Sequence, residues 1–428
     1  MASTISSFLF IKALIIISCF ERLSLSNAVH DDNPARLVSN DLHDMEPSDI
    51  VSISHDHISR FLSRRSNSRG RPAPAQDTVS QLFSVDSIYQ FGDSLSDVGN
   101  FKWENPYTSF AQSPYGVTYF HTPTGRPSDG RLIVDYLAEY FRLPFIEPYL
   151  NTSGNFKQGV NFAVIGATAL NVSALIAKGI VPTVTNHSLS VQVNWFKSHL
   201  ASICSCPLEC RRKLWRAAFI VGEIGGNDYN FATSLGKAPE IMYQMVPEVV
   251  QGISNAVEEL IHLGARLIII PGNILPGCMT VYLAGSNSND PNIYDELKCI
   301  KSLNDLSKFH NDQLRLAITI LQLKHPLVII LYMDLEGSMR KILQKPIAYG
   351  FDKDVVYKTC CGIGNDGYNF NYNSICGMKG VPVCEHPEKR VNWDGWHLTS
   401  HVYEVIVKQH FGYNGETFGD FSSVFHKN

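Results

Sequence analysis

Beyond residue 20 the chain has no apolar run long enough to span a bilayer, which takes roughly 20 residues. It has no basic patch, which argues against nucleic acid as a partner, and no acidic block of the kind that makes a disordered tail. It has no CxxC pair. Cys204-x-Cys206-x3-Cys210 is the nearest approach, and no histidine pair sits beside it at ligand spacing, so no metal is expected. No internal repeat is visible.

What is present is an ordinary globular composition: 428 residues, 44% hydrophobic, 18% charged, with a formal net charge of -4. That length affords a large core. The N-terminus reads as a signal peptide over residues 1–28. Residues 8–20 are mostly apolar, and Ser26-Asn27-Ala28 offers a small-x-small cleavage site. A membrane anchor is the competing reading, but the run is too short to favour it. The processed chain is therefore expected in the secretory pathway, without a stable membrane anchor. Ten cysteines are present. Removing Cys19 with the signal leaves nine, for which disulfides with one odd thiol are the default in an oxidising compartment. Three Asn-x-Ser/Thr sequons, at Asn151, Asn171 and Asn186, become candidate glycosylation sites in such a chain.

Residues 29–84 are polar, and their basic stretch over 63–72 is turn-prone, as in a linker or removable pro-segment. Asn33-Pro34-Ala35-Arg36-Leu37 is similar to the Asn-Pro-Ile-Arg-Leu vacuolar sorting signal of plant precursors, with Ala in place of Ile. The destination is left between vacuole and extracellular space. From residue 85 to residue 428 the pattern is that of one domain. Short apolar strands at 88–91, 218–221, 267–270 and 327–332 alternate with helical spacing at 129–141, 238–263, 301–323 and 400–411. This alternation indicates an α/β fold with a mainly parallel sheet.

Four strings in this region carry chemistry. Ser94 follows the first strand in Phe91-Gly92-Asp93-Ser94-Leu95. The carboxyl ends of parallel strands are where ligands gather. A serine needs a base, and Asp394-Gly395-Trp396-His397 supplies a carboxylate three residues ahead of an imidazole. Gly166, in the segment 159–167, and Asn227, in Gly225-Gly226-Asn227-Asp228, are candidate oxyanion donors. Each string alone is an ordinary loop. Their order is what discriminates.

The strings FGDSLSDVGN at 91–100, GVNFAVIGATA at 159–169, GGNDYN at 225–230 and WDGWHLTS at 393–400 resemble, in order, the blocks of the GDSL-type lipase/esterase family of SGNH hydrolases. The resemblance covers about residues 85–412. It is closest to the plant branch, which also carries strings like Cys360-Cys361-Gly362 and Tyr368-Asn369-Phe370. It implies a flavodoxin-like three-layer α/β/α sandwich and no cofactor. It implies Ser94 as nucleophile, His397 as base and Asp394 as its orienting partner. Ser94 N–H, Gly166 N–H and the Asn227 side chain would form the oxyanion hole. The expected partner is a small soluble ester, cleaved by hydrolysis. The alternative is an acyltransferase that moves an acyl group, for example hydroxycinnamoyl, to a hydroxyl acceptor. Two departures stand out. The segment before the first block is long, and Gln90 is more polar than the usual strand residue there. Oligomeric state and disulfide pairing are left undetermined.

Overall fold

The computed structural model describes residues 85–412 except 287 and 366. The signal, pro-segment and sorting-signal expectations lie outside these residues. Five strands build one parallel sheet: β1 (Ser87–Phe91), β2 (Gly159–Asn161), β3 (Ala217–Val221), β4 (Leu267–Pro271) and β5 (Ile329–Met333). Their spatial order is β2-β1-β3-β4-β5, the flavodoxin-like arrangement.

The sheet is covered on both faces because its strands are apolar on both. Successive strand residues point to opposite sides. Ile88, Ala218, Ile220, Leu267, Ile269, Ile329 and Leu331 enter one core, together with residues of helices Ile133–Tyr140, Leu335–Gln344 and Ser400–Phe411. Tyr89, Phe219, Val221, Ile268, Ile270 and Ile330 enter the other, with helices Leu189–Ile203, Pro239–Leu263 and Lys301–Lys324. The expected three-layer sandwich is therefore present. The helix Pro239–Leu263 runs on through Pro247.

Gln90 has a structural task. It is buried in β1, and its amide donates to Gly222 O at 2.8 Å and Phe91 O at 2.6 Å, tying the carboxyl ends of β1 and β3 together. Disulfides join Cys204–Cys210, Cys278–Cys299, Cys360–Cys384 and Cys361–Cys376. Cys206 is also disulfide-bonded, so the expected odd thiol is not found among the described residues. No described helix is long and apolar enough to cross a membrane.

Candidate active site

In this strand order the sequence of strands across the sheet reverses at β1, which opens a crevice at the carboxyl ends of β1 and β3. The Ser94 loop leaves β1, the Gly166 loop follows β2, and the Asn227 segment follows β3. Three strings distant in sequence thus meet at one sheet edge.

The turn after β1 requires glycine. Gly92 has φ +148°, and a Cβ there would stand 2.9 Å from Glu223 O. Gln192, from helix Leu189–Ile203, grips the same peptide from the side. Its amide accepts from Gly92 N at 2.9 Å and donates to Gly92 O at 2.8 Å. Beyond the turn, Asp97 accepts from the backbone N–H of Gly99, Asn100, Phe101 and Ile165. The last of these fastens the Ser94 loop to the residue before Gly166. Asn161 Nδ2 adds a bond to Ser96 O at 2.7 Å. The polar residues around Ser94 therefore hold its loop, and Ser94 itself is left half-buried at the crevice. Gly166 has φ +79°, and a Cβ there would stand 2.5 Å from Val184 Cβ.

Asp394 and His397 sit at the tip of a tight turn. Asn392 and Leu398 bridge antiparallel at its base, and Trp393 N donates to His397 O at 2.8 Å. Asp394 Oδ1 accepts from Trp396 N at 2.9 Å and His397 N at 2.8 Å. Its Oδ2 takes His397 Nδ1 at 2.7 Å and the Tyr115 hydroxyl at 2.9 Å. Burial pushes the Asp394 carboxyl up. The adjacent His397 and the two backbone N–H groups outweigh that and hold it below the usual carboxylate range. The carboxylate is thus ionised and fixes which ring nitrogen carries a proton. The disulfide-bonded loop backs this turn: Cys360 N donates to Asn392 O at 3.0 Å and Cys361 N to Trp393 O at 2.7 Å. Tyr115, Cys360, Cys361, Cys376 and Trp393 share a small core of their own.

Asn227 lies in the first turn of helix Gly226–Ser234. Its Nδ2 donates to Asp93 Oδ2 and to Ala167 O, both at 3.0 Å. Asp93 is a second buried acid beside Ser94. Burial raises it to about 6, while Leu95 N–H, Glu223 and the charge of His397 pull it down. Glu223 is raised well above its ordinary value by burial and then by the Asp93 carboxylate. The two carboxyls are hydrogen-bonded, and Glu223 is the one pushed further up. The imidazole's effect on Asp93 puts the Asp–His turn within electrostatic reach of the Ser94 loop. Asp394–His397 and Asn227–Asp93 are formed bonds of the resting site, whereas a Ser94–His397 bond is not among them. Such contacts commonly close only with substrate.

Sequence reading missed Tyr115, Gln192, Asp93 and Glu223 as parts of this site. Asp93 lies inside a recognised string and Glu223 just ahead of another. Tyr115 and Gln192 carry no local signal. The three sequons are on described loops. Asn171 and Asn186 are exposed, and Asn151 is half-buried with its amide on Glu147 at 2.7 Å. Asn171 Oδ1 accepts from the Ser188 hydroxyl at 3.1 Å and from the Ser190 hydroxyl. Asn171 also lines a cavity of about 580 Å³ with Leu170, Pro247 and Gln251, apart from Ser94, Asp394 and His397.

The buried acids set a pH dependence of stability. Burial raises Asp228 to about 7 and Asp97 to about 6, the latter against the pull of its four N–H donors. With Asp93 and Glu223 they bind protons more tightly in the folded chain than in the unfolded one. Their contribution to stability therefore falls as pH rises from about 4 through 7. Buried His199 and His310, lowered by desolvation to about 4 and about 3, act oppositely once pH drops below about 6.5. The melting temperature is expected to rise on acidification from pH 8 through about 6, the four acids outweighing the two histidines. Asp228→Asn should blunt the rise. A melting temperature that falls over that interval in calorimetry would contradict the assignment.

The family model described as GDSL-like Lipase/Acylhydrolase matches residues 88–409. The chain is 43% identical over 329 residues to acetylajmalan esterase 2 of Rauvolfia serpentina, covering 76% of this chain and 88% of the relative. It is 41% identical over 327 residues to sinapine esterase of Brassica napus, covering 75% and 84%. A GDSL esterase/lipase of Arabidopsis thaliana is 41% identical over 334 residues, covering 76% and 86%.

Proposed function

The chain belongs to the GDSL-like lipase/acylhydrolase family, and from that premise we propose that it hydrolyses a small soluble carboxylic ester through an acyl-enzyme on Ser94. The class of reaction, carboxylic ester hydrolysis by a serine esterase, comes with the family. The residues and the substrate are our reading. The observation that carries it is the 2.7 Å bond from Asp394 Oδ2 to His397 Nδ1. It leaves Nε2 unprotonated to take the Ser94 proton.

Ser94 Oγ attacks the carbonyl carbon as Nε2 accepts its proton. The negative oxygen that forms is met by the Ser94 and Gly166 N–H groups and by Asn227 Nδ2. That amide is shared at rest between Asp93 and Ala167 O, so the oxyanion competes with these acceptors for its N–H. Collapse expels the alcohol, which receives the proton from Nε2. Water, deprotonated by the same nitrogen, then attacks the acyl carbon, and Nε2 returns that proton to Ser94 Oγ as the acyl C–O bond breaks and the acid leaves. A hydroxyl acceptor in place of water would make the chain an acyltransferase. The relatives named for a substrate are esterases, which favours water.

The relatives' names, acetylajmalan and sinapine esterase, each specify a single compound, and this supports a small soluble ester here too. We also propose passage through the secretory pathway to the vacuole or extracellular space, with loss of residues 1–28. Residues 29–84 are read as a segment removed or retained for sorting. Glycans are proposed on Asn151, Asn171 and Asn186. One on Asn171 would sit over the groove that this residue lines.

The test is incubation of pure protein with a panel of soluble plant esters and with triolein, followed by mass spectrometry. A free acid from a soluble ester is the expected product. A new ester of the same acid would establish acyl transfer, and triolein turned over as fast as the best soluble ester would defeat the substrate reading.

A further inference from the structure

A second cluster of ligand-type side chains lies at the opposite end of the sheet. Helices Pro239–Leu263 and Lys301–Lys324 end just before β4 and β5 begin, so their C-termini meet at the amino edge of the strands. Ser94 and Asn227 follow the carboxyl ends of strands. Glu258 and His262 are four residues apart and share one helix face. His325 is the C-cap of the second helix. One ligand atom from each of the three lies within 4.8 Å of the others.

We propose that Glu258, His262 and His325 bind a divalent transition-metal ion, zinc in the first place, which joins the two helices. Two imidazoles and one carboxylate are a zinc-type donor set, with solvent as the fourth ligand. Calcium and magnesium prefer all-oxygen shells and fit poorly.

Three observations support the assignment independently of the spacing. His325 Nε2 is buried without a hydrogen-bond partner, and it stands 3.5 Å from Glu258 Oε1, long for a strong bond. A buried ring nitrogen without a hydrogen-bond partner is open to a metal ion in the tautomer that leaves it unprotonated. The His262 and His325 rings stand edge to face at 5.9 Å between centroids, so modest side-chain rotations bring their nitrogens together. Finally, two helix C-termini converge here, and their carbonyl ends favour a cation.

Lys324 is the competitor. Its ammonium bonds Glu258 Oε1 and would have to leave for an ion to enter. Its side chain is 57% exposed, so it can move into water at little cost. Sequence alone gave no hint of the site. The spacing Glu258-x3-His262 is common on helices, and His325 is remote from both.

The test uses untagged full-length protein stripped with a chelator. Zinc is titrated by isothermal calorimetry, and cobalt(II) is added as a visible-absorption probe of coordination. One ion per chain is expected, with a higher melting temperature. His262→Ala and His325→Gln should each weaken binding by at least about tenfold. Ester hydrolysis should be the same in wild type and His262→Ala, because the site is remote from Ser94. Ser94→Ala should bind zinc as wild type does, which separates this proposal from the catalytic one. No saturable binding, or binding unchanged in both histidine variants, overturns it.

Discussion

Ser94→Ala is expected to lower kcat/KM for any ester substrate on the order of a million-fold, leaving only the slow reaction that an oxyanion hole and binding support without a nucleophile. The size follows from the division of labour in the loop. Asp93, Ser96, Asp97 and Asn100 are buried, and their hydrogen bonds hold the loop's shape. Ser94 is half-buried at the open crevice, and none of these loop-holding bonds depends on its hydroxyl. The variant should therefore melt within about 1 °C of the parent, since surface-type substitutions away from packed features cost little. Burst kinetics with a p-nitrophenyl ester supply the direct readout. Wild type should acylate before steady state and the variant should show no burst. Turnover within about a hundredfold of the parent would mean that another residue attacks, and the whole assignment of roles would fall.

How far the sequence discloses this arrangement depends on the range of the interaction. β1, β3, β4 and β5 are readable because each is a short apolar run, buried on both faces and bounded by turn residues. β2 is not, because it is only Gly159–Asn161, and it pairs with β1 across some seventy residues. Helices Leu189–Ile203 and Leu335–Gln344 are not legible in the sequence either. The first contributes Gln192, whose grip on Gly92 spans 100 residues. Ser94, Gly166, Asn227, Asp394 and His397 stand out only as members of four ordered strings. Tyr115 belongs to no string at all. It reaches Asp394 across 279 residues, so nothing near it in sequence marks it. The Cys360-Cys361 pair is visible as a string, but its purpose is not. Its backbone braces the Asp–His turn, and that is a tertiary fact.

Tyr115 also sharpens the second large effect, expected for Asp394→Asn. A drop in kcat/KM of roughly ten-thousandfold is the scale when a triad carboxylate becomes an amide. The reason here is local. Oδ1 of Asp394 accepts two backbone N–H bonds, which an Asn carbonyl oxygen can take over. The amide nitrogen would then occupy the Oδ2 position, facing two donors, the Tyr115 hydroxyl and His397 Nδ1. The imidazole can relieve that clash by moving its proton to Nε2, and Nε2 then has no lone pair for the Ser94 proton. Tyr115→Phe removes one of the two donors to Oδ2 and leaves the carboxylate and the tautomer intact. Its loss should be roughly ten- to a hundredfold, the worth of one hydrogen bond to a charged group. Paired measurements of kcat/KM, with circular dichroism to verify folding, separate the two cases. If Tyr115→Phe costs as much as Asp394→Asn, the carboxylate does not act by choosing the tautomer. If Asp394→Asn costs no more than Tyr115→Phe, the imidazole is oriented by something other than its 2.7 Å bond to Asp394.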